Sequence, residues 1–255
     1  MSEYVLEDRA AVLRDASGRT VCDLLRLAAD RWAGEPAYSD RAAPDQPWQT
    51  ITWGQTRDRV LRLAAGFLAL GLQPGEKVAL MMPNRLEHVL ADQGVLHAGG
   101  VPVTFYPTLA PDQVAYVAGN CDARIAVLDG PAELARWQPV LAELPGLTHV
   151  IVIDEAACPA GAPFRSWADF EDLGARRWDE LAGQVSARID AIAPGDPVTL
   201  LYTSGTTGTP KGVVITHASV SYELAAFAAN GAAPMRARWV SYLPIAHIAE
   251  RMYTL

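Results

Sequence analysis

Between Leu200 and Val214 the sequence reads Leu-Leu-Tyr-Thr-Ser-Gly-Thr-Thr-Gly-Thr-Pro-Lys-Gly-Val-Val, two apolar stretches separated by hydroxyls, glycines and a single lysine. Gly205, Gly208 and Gly212 allow positive φ and let the backbone lie close to a ligand. The hydroxyls of Thr203, Ser204, Thr206, Thr207 and Thr209, the adjacent backbone N–H groups and the Lys211 ammonium are all donors. A polyphosphate is the natural ligand for such a set. The spacing is not that of the G-x-x-x-x-G-K-[ST] loop, in which the lysine follows glycine and opens a helix. Here Pro210 takes the glycine's place and Gly212 the place of the magnesium-binding hydroxyl. Val213-Val214-Ile215 is β-branched and reads as strand. The expectation is a phosphate loop joining one buried strand to another.

A second candidate is Ser241-Tyr242-Leu243-Pro244-Ile245-Ala246-His247-Ile248-Ala249-Glu250-Arg251. A helix is expected after Pro244, so His247 either satisfies backbone groups near its start or faces a ligand. Glu250 and Arg251 read as structural, in an ion pair or helix-end contacts. The other histidines read as structural too. His88 and His97 share one expected helix but lie too far apart for an i,i+4 metal pair, His149 opens a strand, and His217 falls in a helix's first turn. Cys22, Cys121 and Cys158 are odd in number and widely spaced, which suits neither a disulfide framework nor a zinc site.

The elements that must position these residues alternate. Thr20 can cap a helix running to Trp32, and Gln49–Trp53 alternates as a strand. A longer helix carries Val60, Leu61, Ala64, Phe67 and Leu68 inward and stops at Gly71. Val78–Met82 is an apolar strand closed by Pro83-Asn84. Helix is expected over 86–98, strand over 101–105, helix over 111–118, strand over 125–128, helix over 133–144 and strand over 149–153. Residues 155–163 read as loop and 167–181 as helix, and Asp196-Pro197 introduces the strand that enters the loop. Short apolar strands alternating with helices predict a mostly parallel sheet covered on both faces.

The chain has 255 residues, half of them hydrophobic and a fifth charged, with net charge −8. That composition is globular, and its sign disfavours nucleic acid as a partner. No uncharged apolar run approaches the roughly 18 residues of a membrane span. The acidic N-terminus lacks the basic and apolar regions of a signal peptide. A cytoplasmic setting is expected, with peripheral membrane association left open.

The string Thr203–Gly212 resembles the signature T-S-G-T-T-G-x-P-K-G of adenylate-forming enzymes, a group that includes acyl-CoA synthetases, luciferases and nonribosomal-peptide adenylation domains. All ten positions match. Thr50-Ile51-Thr52-Trp53-Gly54-Gln55 is similar to an early element of that family, with Trp53 and Gln55 in place of its Tyr and Glu. Leu96–Val103 is similar to a second element. Tyr106-Pro107-Thr108 and the run from Tyr242 to Arg251 resemble long-chain fatty-acid–CoA ligases in particular. The resemblance implies an α/β fold of mostly parallel sheets flanked by helices, with residues 1–255 forming an incomplete N-terminal AMP-binding domain. It implies that Thr203, Ser204, Gly205, Thr206, Thr207, Gly208 and Lys211 hold the ATP phosphates. It gives Lys211 a catalytic charge, Thr203 a contact to Mg²⁺, and His247 a place beside the acyl carboxylate. Fatty acid, ATP and CoA are the implied reactants. A carrier-protein acceptor, or a non-catalytic binding protein keeping part of the fold, are the alternatives. The adenine-binding Y-G-x-T-E element, the ribose-binding aspartate and the mobile C-terminal domain with its lysine are not found before Leu255. The 255 residues alone are therefore expected not to turn over.

Overall fold

The computed structural model describes residue 14 and residues 16–41, 45–203, 210–229 and 238–254. Helix α1 (Val21–Trp32) begins in a capping box: Thr20 accepts from the Asp23 N–H, and the Asp23 carboxylate accepts from the Thr20 N–H. Strands β1 (Pro36–Asp40) and β2 (Gln49–Thr52) pair antiparallel, and α2 (Trp53–Ala69) starts from a second capping box made by Thr52 and Gln55. Gly71, at φ 86°, ends that helix as expected.

The central unit follows in chain order as β3 (Lys77–Met81), α3 (Leu86–His97), β4 (Val101–Thr104), α4 (Pro111–Asn120), β5 (Ala123–Leu128), α5 (Pro131–Trp137), β6 (His149–Val152), β7 (Phe164–Ser166) and α6 (Trp167–Ala191). Its five strands lie in the order β4-β3-β5-β6-β7, all parallel. Alternate residues of the strands enter two separate cores. Val78, Leu80, Ile125, Val127 and Ile151 face one side, against α2, α3 and α6. Ala79, Met81, Ala126, Leu128, Val150 and Val152 face the other, against α4, α5 and the turns that follow. Burial on both faces is why these strands read as continuous apolar runs rather than alternating ones. The expected parallel sheet covered on both sides is present.

Beyond the sheet, β8 (Pro197–Thr203) and β9 (Lys211–Thr216) form an antiparallel pair, followed by α7 (His217–Ala229) and α8 (Ile248–Thr254). Three expectations are corrected. The helix expected over 133–144 is α-helical only to Trp137 and continues as a 3₁₀ turn over Gln138–Glu143. Pro139 has no N–H for the carbonyl of Ala135 and its ring crowds that turn. The helix expected to end at Leu181 runs on to Ala191, because Val185 and Ile189 still have a core to pack against. And β9 is not a buried strand: Val213 and Val214 are 44% and 54% exposed. Strand β1 was not expected; it is short and polar, and is ordered by β2 and by its Tyr38 hydroxyl donating to the Thr254 carbonyl at 2.8 Å.

Candidate functional site

Strand β8 is buried near its start and exposed at its end. Val198 and Thr199 are inside, and the Thr199 hydroxyl donates to the Pro102 carbonyl of β4 at 2.8 Å, fixing the base of the hairpin to the sheet. From there the register pairs Leu201 with Val213, Tyr202 with Gly212 and Thr203 with Lys211. Residues opposite one another in an antiparallel pair share a face, so the Thr203 hydroxyl and the Lys211 ammonium stand on the same side of the neck. Tyr202, on the other face, donates its hydroxyl to Asn120 Oδ1 at 2.6 Å, and burial pushes its phenol up, so it stays a donor. Tyr116 donates to the Pro210 carbonyl at 3.1 Å. Helix α4 thus grips both strands of the neck. Gly212 suits this packing: a Cβ there would lie 3.2 Å from the Tyr202 ring. Ser204, Gly205, Thr206, Thr207 and Gly208, expected to hold phosphates, lie outside the described residues.

His247 is brought in from elsewhere. Strands β4, β3 and β5 are ordered so that the chain leaves β3 in one direction and returns to the far side of it at β5. Ligands in open parallel sheets bind beyond the carboxyl ends of the strands at such a reversal. Pro83, Asn84 and Arg85 follow β3 at that point, Asp129 follows β5, and Arg85 pairs with Asp129 and with Glu87. The segment from Ser241 docks here. The Asn84 amide donates to Ser241 Oγ at 2.7 Å and to the Leu243 carbonyl at 2.6 Å, and its oxygen accepts from the Ile245 N–H at 3.0 Å.

The same segment turns into α8. The His247 N–H donates to the Pro244 carbonyl at 2.8 Å, and its ring Nδ1 accepts from the Ala249 N–H at 3.2 Å. The imidazole caps the helix and is itself exposed, so Nε2 stays available to a ligand. Glu250 accepts from the Leu243 N–H at 3.2 Å. Arg251 is fully buried and pairs with Asp92 of α3 at 2.8 Å, also reaching the Val198 carbonyl at 3.4 Å. Burial pushes the Asp92 carboxyl up against the pull of Arg251. The structural roles expected of Glu250 and Arg251 hold, with Asp92 as the partner.

His217 accepts from the Val21 N–H through Nδ1 at 3.1 Å and is buried, its pKa pulled down by burial to about 4. His97 donates Nδ1–H to the Gln93 carbonyl at 2.7 Å and is also lowered by burial, to about 4. Both are neutral structural groups. The thiols of Cys22 and Cys121 are buried, which raises them, Cys121 to about 12, and makes them inert. Sequence reading passed over Asn84, Asp92, Tyr116 and Asn120. Pro83-Asn84 signalled only the end of a strand, and nothing in the spacing marks partners 82 or more residues away.

A parallel sheet covered on both faces, with an antiparallel hairpin packed against its edge, defines an α/β protein. The sequence pattern of the AMP-binding enzyme family matches residues 25–255, and the chain belongs to that family. A long-chain-fatty-acid–CoA ligase of Xenopus laevis is 32% identical over 209 residues, 80% of this chain and 28% of that protein. One from Homo sapiens is 31% identical over 212 residues, 82% of this chain and 29% of that protein. The chain thus spans less than a third of the length of these relatives. The crystal structure of a long-chain-fatty-acid–CoA ligase from Archaeoglobus fulgidus superposes with a TM-score of 0.76 at 19% identity, over 92% of this chain and 44% of that one, a likeness of fold.

Proposed function

We propose that this chain supplies the phosphate grip and the carboxylate-facing segment of an AMP-forming long-chain fatty-acid–CoA ligase, with residues 1–255 forming part of its N-terminal AMP-binding domain. The observation that carries the reading is the neck of the hairpin, where Thr203 and Lys211 are paired and face the same side, joined in sequence by a run of hydroxyls and glycines. The two ligase relatives support the substrate class.

A free carboxylate is a poor acyl donor, because oxide would have to leave. Attack of the carboxylate oxygen on the α-phosphorus of ATP forms an acyl-AMP anhydride and expels pyrophosphate, and the CoA thiol then displaces AMP. Such chemistry is mostly positioning and charge stabilisation. Lys211 neutralises the departing pyrophosphate, and the hydroxyls and N–H groups of Thr203, Ser204, Gly205, Thr206, Thr207 and Gly208 donate to its oxygens. His247 Nε2 faces the fatty carboxylate. Mg²⁺ would take the Thr203 hydroxyl as its protein contact and complete its shell with phosphate oxygens and water, which suits a neck offering one exposed hydroxyl beside a lysine. When bound, the ion supplies charge to the polyphosphate. The free thiols support a cytoplasmic setting, and among the described residues no helix is long and apolar enough to cross a membrane.

Fatty-acid-dependent ATP–pyrophosphate exchange by the protein as it occurs in its source tests this reading. Lys211→Ala should lower exchange by roughly 10²–10³, the size of losing one preorganised oxyanion contact. Exchange independent of fatty acid, or undiminished in the variant, would sink it. A CoA thioester as the product, rather than acylated carrier protein, decides the acceptor.

A further inference from the structure

We infer that Asn84 is a positioning residue for the carboxylate site, holding the Ser241–His247 segment at the carboxyl end of β3 and so fixing where the His247 imidazole stands. The inference rests on the reading of His247 given above.

One side-chain amide makes three contacts across more than 150 residues of sequence: Ser241 Oγ at 2.7 Å, the Leu243 carbonyl at 2.6 Å and the Ile245 N–H at 3.0 Å. Residues 241, 243 and 245 lie along the bend that leads into α8, and all three meet the one Asn84 amide. The amide spends both N–H donors and its oxygen, and no other side chain of this length offers two donors and an acceptor from a single planar group. Aspartate would keep the contact to Ile245 and set a carboxylate against the Leu243 carbonyl. Alanine would keep nothing.

The anchor is independent of the one that holds the helix. Helix α8 is tied to α3 by the buried Arg251–Asp92 pair, whereas Glu250 of α8 accepts from the Leu243 N–H of the segment itself. Loss of Asn84 therefore frees the approach to His247 while α8 stays docked. The base of Asn84 is itself fixed, because Arg85 next to it is paired with Glu87 and Asp129. The Thr203–Lys211 neck is held by different groups, on α4 and β4. Asn84 thus acts on the acyl side of the site and not on the phosphate side.

The test combines hydrogen exchange with kinetics, on the protein as it occurs in its source. In Asn84→Ala, amide exchange at 243–247 should rise by an order of magnitude or more while 250–254 stays protected. The KM for fatty acid should rise roughly tenfold, the net effect of about one hydrogen bond, with the KM for ATP within about twofold of the original. Asn84→Asp, which keeps the Ile245 contact, should fall between the two and serves if the alanine variant does not fold. Unchanged exchange at 243–247 overturns the inference. So does a rise that spreads through α8 with both KM values moving together, which is the mark of a general structural role. His247→Ala run in parallel separates the two readings: if it leaves the fatty-acid KM unchanged, the substrate role of His247 falls, and the exchange data still report whether Asn84 holds the segment.

Discussion

Gly212 meets no substrate in the proposed site, yet its lack of a side chain lets the neck close. It lies opposite Tyr202, and a Cβ would stand 3.2 Å from the ring carbon and 3.3 Å from the hydroxyl that bonds Asn120. Gly212→Ala should therefore push the ring tip aside, weaken the Tyr202–Asn120 bond and disturb the Thr203–Lys211 pairing next to it. Overpacking of this size costs about 1 kcal/mol, which for a chain of this length lowers Tm by roughly 2–4 °C. Pyrophosphate exchange should fall more than that small loss of stability explains. A variant with full exchange and an unchanged Tm would show that the glycine serves only the loop's own backbone. The chemistry proposed for Thr203 and Lys211 rests on residue type and close spacing, both of which the sequence carries. The neck that aims them could not, since Asn120 and Tyr116 come from α4, and a tyrosine in a helix gives no sign of what its hydroxyl will reach.

Among the elements, the crossing of α2 and α6 is set by glycine. A Cβ on Gly174 would lie 2.2 Å from the Arg62 carbonyl oxygen and 3.2 Å from the Gly66 nitrogen, and one on Gly66 would meet the Phe170 ring at 2.8 Å. The Gly174 obstacle is backbone, so no side chain can swing away and the two helices would have to part. Gly174→Ala should cost about 3 kcal/mol or more. Gly183 offers the control on the same helix, with nothing within 4 Å of its Cβ position. Gly183→Ala should stabilise by roughly 0.5–1 kcal/mol, as expected for a glycine inside a helix. Urea unfolding of both variants checks the pair, and equal effects would refute the close crossing. The two glycines also show where sequence reading stops. Both look like weak points in a helical pattern, and the expected end at Leu181 stopped short of the second. Only the packed partner distinguishes a glycine that is needed from one that is tolerated. The parallel sheet was legible for the opposite reason, because its strands are buried on both faces and carry that burial in composition alone.

Across the whole molecule, three buried neutral histidines make stability depend on pH. His88 is lowered by burial to about 3, and His97 and His217 to about 4, against an ordinary value near 6.5. They join different parts: His88 bonds the Pro83 carbonyl where β3 ends, His97 lies at the end of α3, and His217 ties α7 to the start of α1. Above the ordinary value both folded and unfolded chains hold these rings neutral, and the full stability is present. As pH falls below it the unfolded chain takes up protons that the folded chain refuses, so stability is lost progressively down to the folded values near 4 and 3. Each histidine carries on the order of 3 kcal/mol across that interval by the conversion of pKa shift to free energy. Asp92 opposes them, because burial raises its carboxyl and favours proton uptake by the folded state. Three rings outweigh one carboxyl, so Tm should be level near neutrality and fall steadily from about pH 6.5 toward 4. In His97→Asn the side-chain amide can still donate to the Gln93 carbonyl but does not titrate, so the fall should become shallower with little change at pH 8. An equally steep fall in that variant would mean that His97 is not a neutral buried ring, and that the acid sensitivity arises from other groups such as His88 and His217.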